Sequence, residues 1–162
     1  MIWILGLLVV ICIALLIVRG IKGPTHSLET LEMPIRDLLK RGYDGGFLII
    51  DVSRSKYFIQ LRKYINEPGL YGIELCFPNA KWSAKYFDEL IDFCIKEGIN
   101  YIITKENTNG PLEFLYIDFE KDVHKAHRYI KKIFIELLGV NENVRLFARL
   151  ESATIEDKLI DK

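Results

Sequence analysis

FLIIDVSRSKYFIQLRKYINEPGLYGIELCF, residues 47–77, holds three β-rich stretches separated by two turn signals. Phe47 to Val52 is a continuous apolar run rich in β-branched residues, the pattern of a strand buried on both faces. Asp51-Val-Ser-Arg-Ser55 supplies a tight reversal, where Asp51, Ser53 and Ser55 are side chains that bond nearby backbone. Tyr57, Ile59 and Leu61 then alternate with Phe58, Gln60 and Arg62, the period of a half-exposed strand. Glu67-Pro68-Gly69 puts Pro and Gly at the centre of a type II turn. Beyond it Tyr71, Ile73, Leu75 and Phe77 point one way, and Gly72, Glu74 and Cys76 the other. The stretch therefore reads as a three-stranded antiparallel meander.

Helical periods surround it. Leu31, Ile35, Leu38 and Leu39 recur along one face of a first helix over residues 28–41, with Thr25 or Ser27 available as its cap and Gly42 as its stop. Pro34 places the regular part of that helix from about Leu31 onward, since proline is tolerated in a first turn. Gly45-Gly46 turns the chain into the first strand. After Pro78-Asn79, Trp82, Tyr86, Leu90, Phe93 and Cys94 follow helical spacing up to Glu97-Gly98. Tyr101 to Thr104 and Leu112 to Asp118 flank the polar turn at 106–110 as a further hairpin. A third helix is expected over residues 119–138, with Val123, Ala126, His127, Ile130, Ile133, Phe134 and Leu137 on its apolar side and Gly139 just past its end. Val144 to Leu150 can add one more strand. The order α-β-β-β-α-β-β-α describes an antiparallel-sheet α+β domain with its helices packed on the sheet.

The N-terminus is of another character. MIWILGLLVVICIALLIV, residues 1–18, has no charged side chain, and at helical rise it extends roughly 27 Å, close to the hydrocarbon thickness of a bilayer. Half of the whole chain is hydrophobic although 27% is charged, and this run accounts for the excess. A cleaved signal peptide would carry a basic segment ahead of the run and a small residue pair after it, and neither is present. A lipoprotein signal would place a small residue before Cys12, where Ile11 stands. A core helix would show a polar face within five turns. The expected organisation is a transmembrane helix at 1–21, a linker at 22–27, the α+β domain at 28–151 and a polar tail at 152–162. Arg19, Lys22, Arg36, Lys40 and Arg41 all follow the span, so the basic side belongs in the cytoplasm with the N-terminus outside.

Formal net charge is zero, and with Arg19 and Lys22 set aside 20 basic residues face 22 acidic ones. A nucleic-acid binder needs a basic stripe to displace counterions from phosphates, so none is expected as a partner. The three cysteines are Cys12 in the apolar run, Cys76 in a strand and Cys94 in a helix, positions where a thiol serves as a small hydrophobe.

No residue set meets the needs of a catalytic or metal centre, and no cofactor is expected. His124 and His127 with Glu120 form a partial ligand set on the third helix, short of what zinc or di-iron requires. His127 on the apolar stripe reads better as a structural histidine. GYDGG at 42–46 leads into a strand and does not open a helix, unlike a phosphate-cradling loop. The basic segment from Lys121 to Arg128, with Lys131 and Lys132, reads as a solvated helix face. More informative are Phe58, Gln60, Arg62 and Tyr64, which share the strand face opposite Ile59 and Leu61. If the helices cover only the other face, these four leave an amphipathic surface suited to binding protein.

The element order resembles that of the class I type III secretion chaperones and related chaperone-like families, carried locally by Lys56-Tyr-Phe-Ile-Gln60 and Leu70-Tyr-Gly-Ile-Glu74. Such proteins bind polypeptides, generally as dimers, and are not enzymes. The resemblance implies a protein-interaction module without catalytic activity and a possible homodimer. The membrane span departs from these soluble chaperones. The expected function is a membrane-anchored adaptor that touches lipid through residues 1–21, with an immunity protein against a toxin, or an enzyme, as alternatives.

Overall fold

The computed structural model describes residues 24–53, 55, 57–106 and 112–153. The expected membrane span at 1–21 lies outside them, as do residues 107–110 of the expected turn and residues 154–162 of the expected tail. Among the described residues no helix is long and apolar enough to cross a membrane.

Seven strands form one antiparallel sheet: β1 (Thr25–His26), β2 (Gly42–Val52), β3 (Phe58–Glu67), β4 (Leu70–Pro78), β5 (Ile102–Glu106), β6 (Leu112–Asp118) and β7 (Leu146–Ala153), in the order β1-β7-β2-β3-β4-β6-β5. Three helices complete the domain: α1 (Glu32–Arg41), α2 (Ala84–Glu97) and α3 (Val123–Lys132), the last continued by a π turn at Ile133–Leu137. The fold is α+β, as the sequence patterning implies.

One core joins all three helices to one face of the sheet. Leu31, Ile35 and Leu38 of the first helical segment, Tyr86, Leu90 and Phe93 of α2, and Ala126, Ile130 and Phe134 of the third meet Leu48, Ile50, Ile59, Leu61, Ile73, Leu75, Leu115 and Ile117 from alternate strand positions. Apolar side chains at period 3.6 on the helices and at period 2 on the strands share this interior, with the helix stripes laid on one sheet face. Strand β2 is consequently not buried on both faces. Leu48, Ile50 and Val52 are buried, while Phe47, Ile49 and Asp51 on the other face are half-buried.

Several boundaries differ from the sequence reading for identifiable reasons. Thr25–His26 is not linker but an edge strand, paired with Phe147 and Leu146. Ser27 and Thr30 close the turn ahead of α1 together: the Thr30 hydroxyl oxygen accepts from the Ser27 amide at 3.0 Å, while the Thr30 amide donates to the Ser27 carbonyl at 3.2 Å. Trp82 lies in the turn before α2, where the Ser83 hydroxyl accepts from the Ala80 amide at 3.0 Å. Gly98 ends α2 in the left-handed region, at φ 66°.

The third helix begins at Val123, four residues later than its apolar period suggests. Phe119 and Glu120 extend the pairing with β4 instead, for the Phe119 amide donates to the Ile73 carbonyl at 3.0 Å and the Ile73 amide to the Glu120 carbonyl at 2.8 Å. Glu120 then turns the chain at φ 53°, and the Asp122 carboxylate caps α3 by accepting from the Lys125 amide at 2.8 Å.

Candidate functional site

Because α1, α2 and α3 all pack on one side, the opposite face of the sheet carries no helix among the described residues. Phe58, Gln60, Arg62 and Tyr64 stand on it together, each half-buried, at alternate positions of β3. The register places Phe47 opposite Arg62 and Glu74 opposite both Arg62 and Asp118. In the next row Ile49, Gln60, Cys76, Tyr116 and Ile102 run side by side across five strands. Side chains opposite one another in such a ladder lie within contact distance, so these rows form a continuous surface.

Each of the four has a distinct setting. Phe58 packs on Trp82, with ring centroids 4.8 Å apart, so the indole closes the β3 end of the face. Arg62 Nε and Nη2 donate to Glu74 Oε1 at 2.6 and 2.5 Å, and the guanidinium lies 5.3 Å from the centroid of the Tyr116 ring. The Tyr64 hydroxyl donates to both carboxylate oxygens of Asp118, at 2.9 and 3.0 Å. Burial, with the Asp118 bond and charge adding to it, pushes the Tyr64 phenol up to about 12. Gln60 sits between Ile49 and Cys76 in the ladder.

A shallow depression of about 300 Å³ opens over this part of the face, with Arg62, Tyr64, Glu74, Tyr116, Asp118 and Ile102 in its wall. Glu74, Trp82, Ile102, Tyr116 and Asp118 were not singled out by sequence. Glu74 carries a signal, being the Arg62 partner once the Pro68-Gly69 turn fixes the hairpin. Tyr116 and Asp118 carry none, because nothing local states that β6 lies beside β4.

Arg62 and Glu74 pair with one another, and burial beside Asp118 holds the Tyr64 phenol far above neutral pH. Cys76 lies on this face, but His124 and His127 are on α3 and His26 on β1, so none is placed to make a thiolate of it. Cys94 is fully buried, and burial raises its thiol to about 11.

The remaining candidates resolve into structural roles. His127 Nε2 donates to the Leu28 carbonyl at 2.7 Å, tying α3 to the turn before α1. His124 Nδ1 lies 3.0 Å from Glu32 Oε2, and Glu32 also takes Arg36, whose hydrogen bond, with His124 nearby, holds the carboxyl below its ordinary range. Glu120 has left the helix, so it does not join the two histidines. Among the described residues no cluster of His, Cys, Asp and Glu could hold a metal. Asp44 of the GYDGG stretch accepts from the Ile65 amide at 2.8 Å and so pins the irregular start of β2 to β3. In the basic segment Lys131 pairs with Glu29, Lys132 with Glu97 at 2.6 Å, and Lys121 donates to the Gly69 carbonyl at 2.8 Å.

No protein-family model matches this chain, and no curated protein or solved structure is significantly similar to it.

Proposed function

We propose that this protein is a membrane-anchored protein-interaction module without catalytic activity, which binds its partner on the uncovered face of the sheet. The observation that carries the reading is the placement of Phe58, Arg62, Glu74 and Tyr116 together on a half-buried face to which no described helix is assigned. Aromatic and arginine side chains in a surface with apolar rows and paired charges are the composition that protein interfaces concentrate. The apolar run at 1–18 and the basic residues after it support a single span at 1–21 with the domain in the cytoplasm. The likeness in element order to chaperone-like domains points the same way, toward polypeptide binding and a homodimer, with no nucleic acid or cofactor.

The test is crosslinking of the full chain in native membranes, followed by mass spectrometry of the captured proteins. Alanine at Phe58, Gln60 and Arg62 is expected to remove the crosslinked partner while membrane retention is unchanged. A triple variant with every crosslink intact would refute the assignment of this face. Capture of one secreted toxin alone would make the protein an immunity factor in place of an adaptor.

A further inference from the structure

The point where the chain enters the domain is built into the sheet. The Pro24 carbonyl accepts from the Ala148 amide at 3.2 Å, and Thr25 and His26 pair with Phe147 and Leu146 at the β1 edge. Beside this entry, between α1 and the β1–β7 edge, lies a cleft of about 480 Å³. Pro24, His26, Met33, Leu48, Leu150 and Ala153 are in its wall, which is mainly apolar. Met33 in this wall is 66% exposed, and Tyr43, which follows the Gly42 paired with Ala153 of the same wall, is 54% exposed.

We infer that this cleft and its rim rest on the phospholipid bilayer, Met33 and Tyr43 entering the boundary between headgroups and acyl chains. The inference rests on the anchor reading above, and the length of chain outside the domain supplies the argument. Between the span at 1–21 and Pro24 stand only residues 22 and 23, and even counted from the end of the apolar run residues 19–23 extend at most about 18 Å. The sheet is seven strands wide, about 29 Å at strand spacing. A tether shorter than the sheet, leaving from one edge, holds that edge at the membrane and directs β5, with Ile102, away from it. Met33 shares the exposed side of α1 with Arg36 and Lys40, and exposed Met and Tyr flanked in sequence by basic residues are the side chains an interfacial contact uses.

Charge adds little to the contact. Arg36 pairs with Glu32, and Arg41 lies 3.9 Å from Asp37, so these charges offset and Lys40 leaves the rim only weakly positive; the contact is held by apolar burial, for which a zwitterionic surface suffices. The arrangement also shields the β1 edge and leaves the uncovered sheet face, from β3 to β5, accessible to protein.

The test uses the full chain in phosphatidylcholine vesicles, with Cys12→Ser and an environment-sensitive fluorophore on Met33→Cys, Tyr43→Cys or Ile102→Cys. Doxyl-labelled lipid is expected to quench positions 33 and 43 several-fold more than position 102, in low and high salt alike. Carbonate washing of the same vesicles reports the anchor separately. A chain retained after the wash but quenched equally, or not at all, at 33 and 102 overturns the docking and leaves the anchor standing. A chain removed by the wash overturns both. Met33→Asp with Tyr43→Ser is expected to resist carbonate as the parent does, while a label on Lys40→Cys loses its quenching.

Discussion

Arg62 and Glu74 stand directly opposite each other in β3 and β4, and two guanidinium nitrogens converge on one carboxylate oxygen at 2.6 and 2.5 Å. The Tyr116 ring lies beneath the same guanidinium. Glu74 is well covered and Arg62 partly open to solvent, so salt screens the pair only in part. Glu74→Gln is expected to lower unfolding stability by about 1 kcal/mol. In a urea double-mutant cycle Arg62→Met and Glu74→Gln together lose less than the sum of the single losses. Strict additivity would mean the pair carries no coupling.

Tyr64 provides a spectroscopic marker. Its phenol is pushed up from 10.0 to about 12, because burial and the Asp118 carboxylate disfavour the phenolate. A folded-state value above the unfolded one means that the contribution to stability is complete below pH 10 and is lost as pH rises toward 12. Tyrosinate absorbance of the wild type is expected to show a last-titrating group that is missing in Tyr64→Phe. Identical titration curves would place the Tyr64 hydroxyl in solvent.

Lys63, on the helix-covered face, is 6% exposed, and its Nζ donates to the Leu39 carbonyl at 2.7 Å in the last turn of α1. A cation there complements the helix dipole, while burial lowers the amine below its ordinary 10.5. Lys63→Met leaves that carbonyl without its donor, at an expected cost of about 1–3 kcal/mol. The folded protein binds the proton more weakly than the unfolded chain does. Stability relative to Lys63→Met therefore rises as pH climbs from the lowered value toward 10.5. A pH-independent difference between the two proteins in chemical denaturation contradicts a desolvated amine.

Gly72 is set by a close approach. A Cβ there would stand 2.5 Å from the Tyr64 hydroxyl and 2.8 Å from the Glu120 backbone, at the point where Phe119 and Glu120 extend the pairing with β4. Gly72→Ala is expected to destabilise by about 1–3 kcal/mol, since backbone has to shift. Tyr64→Phe removes only the first clash, so Gly72→Ala remains destabilising in that background. Full rescue by Tyr64→Phe would show that the Glu120 backbone yields freely.

The faces of β3 and β4 were legible from alternation alone. Ile59 and Leu61 are buried, and Phe58, Gln60, Arg62 and Tyr64 share the other side, because a strand has only two sides and a one-residue slip would expose every apolar residue. The helices were legible by period, and Gly69 and Gly98 by their turn positions, at φ 85° and 66°. The start of α3 is not legible in the sequence, since a buried aromatic such as Phe119 fits an apolar stripe and a strand extension equally well.

By itself the amino-acid order of this protein determined the longer strands and helices, their inward sides and the surface that Phe58 to Tyr64 present, for these depend on neighbours a few residues apart. Only the tertiary structure decided that all three helices choose the same face, that β6 lies between β4 and β5, and that Tyr116 and Asp118 complete the surface. Those pairings join residues such as Tyr64 and Asp118, 54 apart in sequence, and follow from how the helix stripes share one core. No local pattern encodes that choice.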